Sequence, residues 1–302
     1  MRVILFAWCP NAALYLEALC RAGCAPLLVV SGKGAPAEGP LSGICLRAGI
    51  PLEHWPDVNA PESVRRVREI DPDLVLVSGW PRIFRAQVRR ASRLGFVNAH
   101  PSLLPEYRGR DPIFWAVVRG ERTAGVTLHL MTDELDAGPI LLQRAVAVPE
   151  GATFAVLSEL VDRAGAALVP ELVESVRQGA LPPVRSAAGA GSYFPPVDAQ
   201  SGRLDFTRSA GELERLVRAC QGITRAHAYH RGMKLIALDA RSLAVGTSEA
   251  PGTVVAISGA GVDVAAADAS VLRISRWLFL ERAHDAGSLA ALLELARGAR
   301  FD

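Results

Sequence analysis

The chain has 302 residues, 50% of them hydrophobic and 21% charged, and a formal net charge of +2 at neutral pH. That length suits two domains, because single cores stop growing at about 250–300 residues. A charge so near zero gives no argument for nucleic acid or membrane by bulk attraction, and five scattered cysteines without a CxxC pair argue against a disulfide framework.

The apolar run Val3–Ala7 is strand-length and lacks the shape of a signal peptide. It predicts a strand buried on both faces of a parallel sheet. Residues 11–22 follow with helical spacing, Leu14, Ala18 and Leu19 sharing a face, and Gly23 stops that helix. Cys20 and Cys24, one helical turn apart, read as small buried hydrophobes. Residues 27–30 predict a second strand, 31–42 a Gly- and Pro-rich loop, and 44–48 a short helical remnant. A helix over 63–70, a strand over 74–78, a basic helix over 81–93 and a strand over 95–98 come next. Beyond them lie a helix over 112–119, strands over 126–131 and 140–148, and a long amphipathic helix over 153–178. Strands alternating with helices at this pace argue for an α/β fold with a Rossmann-like, doubly wound parallel sheet over residues 1–180.

Residues 181–205 form a linker rich in Pro, Gly, Ala and Ser. Residues 206–302 carry a short helix over 210–219 and short strands over 234–238, 252–257, 261–265 and 271–274, which suggest a small, OB-like β-barrel domain. No run approaches the about 18 apolar residues of a membrane span. A cytoplasmic protein is expected, the scattered thiols fitting a reducing compartment.

The most informative stretch runs from Gly95 to Gln143. Asn98 and His100 sit two apart at the end of an apolar strand, so both side chains point to one face. Ligands of open parallel sheets bind beyond the carboxyl ends of strands. There an amide can stabilise an oxyanion and an imidazole can move a proton, which suits acyl transfer. Asp136 lies in the turn after the strand over 126–131. Such loops can meet at the same edge of the sheet, where a carboxylate orients His100. The alternation of His129 with Leu128 and Leu130 reads as a half-buried structural strand. Phe114 and Trp115 read as core, with Trp115 also a candidate for the acceptor pocket. His227, Tyr229 and His230 read as surface or turn residues.

The run Asn98-x-His100-Pro-Ser-Leu-Leu-Pro105-x-Tyr-Arg-Gly109, with Asp136-x-Gly138 after it, closely resembles the folate-dependent formyltransferases. The resemblance implies that Asn98, His100 and Asp136 are the catalytic trio and that 10-formyltetrahydrofolate is the donor, without a metal. It implies a pterin held between Arg82, Ile83 and Phe84 on one side and Thr132, Asp133, Glu134, Leu135 and Asp136 on the other. Arg110 matches a further donor-contacting position in sugar-type relatives. A C-terminal barrel domain, absent from the glycinamide ribonucleotide enzymes, argues against purine synthesis and serves acceptor positioning or dimerisation, a homodimer being compatible with it.

The amine acceptor is the least determined part. Methionyl-tRNA formyltransferases carry a long basic loop after the second strand, whereas Ser31–Pro40 holds one lysine and one glutamate. Phosphate contacts dominate nucleic-acid affinity, so the composition favours a small-molecule amine, such as a nucleotide-linked amino sugar or an ornithine-type side chain, with methionyl-tRNA as the alternative. Phe6-Ala7 and Tyr107-Arg108-Gly109-Arg110 resemble the sugar branch, while Gly79-Trp80-Pro81 departs from it. The arginines at 89, 90 and 93 read as solvated, or as attracting a folate glutamate tail or a substrate phosphate.

Overall fold

A computed structural model describes residues 1–9, 11–32, 39–182, 185 and 191–302. The chain divides into two compact units. The first comprises Met1–Pro112, Thr123–Ala147 and Ser158–Pro195, and the second Ile113–Arg122, Val148–Leu157 and Pro196–Asp302.

The first unit runs β1 (Val3–Ala7), α1 (Ala12–Arg21), β2 (Leu28–Gly32), α2 (Pro40–Ala48), β3 (Leu52–Trp55), α3 (Pro61–Ile70), β4 (Leu74–Ser78), α4 (Ala86–Arg89), β5 (Phe96–His100) and β6 (Arg108–Gly109). Helix α5 (Pro112–Arg119) lies almost wholly in the second unit. Then come β7 (Thr123–Leu130), β8 (Ile140–Ala147), α6 (Phe154–Ala166), α7 (Val169–Arg177) and β9 (Tyr193–Phe194). The sheet order is β3-β2-β1-β4-β5-β7-β8, parallel from β3 to β5. β1, β2 and β4 are buried along their whole length, as their unbroken apolar runs require of strands covered on both faces. Ile4 and Phe6 join Val30, Val75, Val77, Phe84 and Phe96 in a core that α3 and α4 complete with Val64, Val67 and Val88.

Four departures from the sequence reading have physical causes. β7 runs antiparallel to β5, and β8 runs antiparallel to β7 because a short connection returns the chain beside the strand it has just left. The basic helix expected over 81–93 shrinks to α4, because Asn59 holds the preceding backbone sideways. Its amide donates to Ile83 O at 2.9 Å and its carbonyl oxygen accepts from Arg85 N at 2.7 Å. The helix over 153–178 breaks into α6 and α7, Pro170 having no N–H to continue the first. β3 escaped notice because its alternation is short and half-exposed.

In the second unit, α8 (Ala210–Cys220) starts with a capping box between Ser209 and Glu212. The strands β10 (His227–His230), β11 (Met233–Leu243), β12 (Val254–Ser258), β13 (Gly261–Ala265), β14 (Val271–Phe279) and β15 (Arg282–Asp285) and helix α9 (Ala286–Leu293) follow. The antiparallel order is β10-β11-β14-β13-β12, with β15 on β14. The chain end joins both edges of this sheet. Asp302 exchanges backbone hydrogen bonds with Tyr229 of β10 (2.9 and 3.1 Å), while Phe301 N donates to Gly252 O (2.9 Å) and Val254 N to Ala299 O (2.8 Å). The sheet is thereby closed as the small barrel expected. His227 and His230 are buried, not at the surface, because β10 is enclosed by this closure; each Nδ1 donates to a backbone carbonyl, Arg225 O and Arg300 O.

All five cysteines are free, and no helix among the described residues is long and apolar enough to cross a membrane. Phe301 is 3% exposed and stacks on Trp277 at 5.4 Å, with Phe206 and His230 beside it. Phe301→Ala is expected to lower unfolding free energy by about 3–5 kcal/mol, read by denaturant unfolding. A loss within about 0.5 kcal/mol, the usual surface range, would show that the closure does not stabilise the barrel.

Candidate active site

The antiparallel pairing of β5 with β7 assembles the site. Asn98 and His100 share a face, and the register sets His129 opposite Asn98 and Thr127 opposite His100. Directly opposed residues project to the same side, so the four side chains converge. His129 Nδ1 donates to Leu130 O at 3.0 Å. Its Nε2 therefore carries a lone pair, which accepts from Asn98 Nδ2 at 3.3 Å. This contact orients the amide and leaves its second N–H directed elsewhere. Burial, then the neighbouring His100, push the His129 imidazole down to about 4, against the opposing pull of Asp136. His129 is thus a neutral acceptor at working pH. Sequence reasoning took it for structure, and the signal that finds it is the cross-strand register with Asn98.

Asp136 does not come from the carboxyl edge of the sheet. Because β7 is antiparallel, its end at Leu130 pairs with Val97, and the turn after it leaves at the amino-terminal end of β5. The turn folds back over the sheet face. Asp136 adopts φ 50, and Gly138 lies so close to Leu130 O that a Cβ would collide with it. Asp136 Oδ2 accepts from Gly109 N at 3.0 Å. Its Oδ1 lies 3.7 Å from His100 Nδ1 and 3.7 Å from His129 Nε2. All three residues are more than nine-tenths buried.

His100 Nε2 lies 2.9 Å from Tyr107 O. A carbonyl only accepts, so Nε2 carries hydrogen and Nδ1, facing Asp136, is where a proton comes and goes. Tyr107 is itself held: its N donates to Ser192 Oγ at 2.9 Å and its ring stacks on Phe194 at 4.8 Å. The loop between is braced by Thr127, whose hydroxyl donates to Ser102 O at 2.7 Å, and by Gln143, whose amide donates to Leu104 O at 2.9 Å. The sequence reading assigned Thr127 and Gln143 no role.

The residues expected around a donor divide. Arg82, Ile83, Arg110, Thr132, Asp133, Glu134 and Leu135 are exposed. Ile83 at 70% and Leu135 at 50% are large apolar side chains left in solvent, one on each loop. Phe84 requires a correction. Its ring is 1% exposed, packed on Phe6 at 5.0 Å and Phe96 at 5.3 Å, so the core claims it and its side chain is not offered to a ligand. The Asp133 carboxylate is engaged by Arg89, and Arg89 is turned inward rather than solvated. Trp115 is half-buried in the second unit, against Phe114 at 5.1 Å.

His129 titrates in the unfolded chain near 6.5 and in the folded one near 4. Between those values the unfolded state binds more protons, so stability is full above 6.5 and falls as pH drops towards 4. The wild type should lose on the order of 2–3 kcal/mol more over that interval than His129→Met. Equal acid losses in chemical unfolding of the two proteins would sink the assignment.

Residues 53–173 match the formyl transferase domain family, and residues 196–282 the formyl transferase C-terminal domain. A methionyl-tRNA formyltransferase of Myxococcus xanthus is 33% identical over 80% of this chain and 77% of its own. That of Pelobacter propionicus is 30% identical over 98% and 95%. Among solved structures, HypX from Aquifex aeolicus bound to tetrahydrofolic acid shares the fold, with a TM-score of 0.65 at 19% identity; the match covers 96% of this chain but 47% of that one. A likely sugar N-formyltransferase from Mycobacterium tuberculosis is 27% identical with a TM-score of 0.57, over 72% of this chain and 86% of its own. With an amide, two imidazoles and a carboxylate converging on one sheet face and both domains matched, the chain belongs to the formyl transferase family.

Proposed function

We propose that Asn98, His100 and Asp136 carry out formyl transfer to a primary amine. The family's donor, 10-formyltetrahydrofolate, supplies a formyl group on a nitrogen that departs as an amine. The observation that carries the reading is the Asp136 carboxylate 3.7 Å from His100 Nδ1, with Nε2 already committed to Tyr107 O. His100 takes the proton of the attacking amine at Nδ1, and the carboxylate stabilises the imidazolium so formed. The second N–H of Asn98, aimed by His129, donates to the carbonyl oxygen as negative charge gathers there. The same imidazole can return its proton to the departing nitrogen. The exposed apolar pair Ile83 and Leu135 supports holding the pterin, with Arg82, Thr132 and Glu134 at its rim and Arg110 beside the trio. Among the described residues no group of three or more His, Cys, Asp or Glu is arranged to hold a metal ion.

For the acceptor we favour the amine of methionyl-tRNA. The support is the set of methionyl-tRNA formyltransferase relatives, whose likeness covers 80%, 85% and 98% of this chain. The sequence reading preferred a nucleotide-linked amino sugar because Ser31–Pro40 is poor in cations, but residues 33–38 of that loop lie outside the described residues, and the relatives weigh the other way. The amino-sugar reading keeps two supports: a net charge of only +2 and the Mycobacterium tuberculosis relative. We place either activity in the cytoplasm.

The deciding assay offers 10-formyltetrahydrofolate with methionyl-tRNA, a nucleotide-linked 4-amino sugar or ornithine, and follows tetrahydrofolate release and the mass gained by the acceptor. Formylation of methionyl-tRNA, weakening with added salt, is expected. Transfer to the amino sugar alone would replace the acceptor but keep the chemistry. No transfer to any primary amine would remove the proposal. Asn98→Ala should lower kcat by about 10²–10³.

A further inference from the structure

We propose that Arg89 is a positioning residue that pre-sets the gap between the two donor-holding loops, a role that rests on the donor reading above. Its side chain is 11% exposed. Nε donates to Phe84 O at 2.9 Å, and Nη1 to Met131 O at 3.2 Å. Nη2 pairs with the carboxylate of Asp133. One guanidinium thus joins both loops, and only its planar fork reaches three acceptors in fixed directions.

Two of those acceptors are rigid. The Phe84 ring is locked among Phe6, Trp80 and Phe96. Met131 N donates to Phe96 O at 2.8 Å, which ties that residue to the start of β5. The third acceptor, Asp133, is 80% exposed and belongs to the turn 132–135. Within that turn the other side-chain bond among the described residues is local, Thr132 Oγ1 to Glu134 O at 3.1 Å. Arg89 therefore transfers the rigidity of the core to a surface turn. Ile83, next to the anchor Phe84, and Leu135, two residues beyond the anchor Asp133, are the exposed apolar side chains of the two loops. An arginine that served the fold alone would need only the two carbonyls; the bond to an exposed carboxylate adds nothing to the core and fixes the turn. Holding a loop in its binding conformation before the ligand arrives spares the ordering cost of association.

The test measures tetrahydrofolate binding by calorimetry to the wild type, Arg89→Leu, Asp133→Asn and the double variant, with KM for donor and acceptor taken separately. The wild type should bind. Arg89→Leu should lose affinity by about tenfold or more, raise the donor KM and leave the acceptor KM in place. Asp133→Asn, at an exposed site that leaves the core untouched, should lose part of that affinity in the wild-type background and none in the Arg89→Leu background. Arg89→Lys, with one donor point, should fall between. Unchanged folate affinity in Arg89→Leu, or an equal Asp133→Asn loss in both backgrounds, overturns the positioning role while the donor reading stands. A wild type that binds no folate overturns both.

Discussion

The site depends on one carboxylate held where the backbone would not place it unaided. Asp136 sits in the left-handed region, in a turn that folds back against Leu130, and faces two imidazoles and one amide N–H. Such a backbone state costs about 1–3 kcal/mol and persists only when the surroundings over-determine it. Here they do. Gly138 allows the close return, Gly109 N supplies the hydrogen bond, and β7 fixes the start of the turn. Tyr107, also at positive φ, is over-determined in the same manner by Ser192 and Phe194. Two strained residues thus set the two nitrogens of one histidine, Tyr107 at Nε2 and Asp136 at Nδ1.

The sheet provides the stiffness those loops lack. β1, β2 and β4 are closed to solvent on both faces, and their aromatic neighbours Phe6, Phe84 and Phe96 lock the floor beneath β5. Rigidity passes outward through single polar side chains: Asn59 to the loop 83–85, Arg89 to the turn 132–135, Thr127 and Gln143 to the loop 102–104. Each meets a backbone group that secondary structure leaves unpaired, which is how a loop can be both irregular and precise in position.

Much of this was legible in the residues. The buried runs of β1 and β4 and the short strands of the second unit follow from hydropathy and turn chemistry alone. Asn98 and His100 were readable as neighbours because strand periodicity is two, and the trio as a unit because its motif resembles a known family. What stayed hidden depends on direction and partner. The antiparallel course of β7 has no local signature, so neither the return path of Asp136 nor the pairing of His129 with Asn98 was visible. Phe84 lies in a loop in sequence but in the core in space. His227 and His230 look like surface polar residues until the chain end closes the barrel over them. Arg89 reads as one cation among many until its three acceptors are seen.

The most direct test of the central claim is formyl transfer under single-turnover conditions by Asp136→Asn, with thermal unfolding measured on the same sample. Asparagine tolerates the left-handed backbone and keeps an oxygen for Gly109 N, but it removes the charge that faces His100. The expected result is a wild-type unfolding midpoint with transfer slowed by about a hundredfold or more. A folded Asp136→Asn that transfers formyl at the wild-type rate would contradict the account.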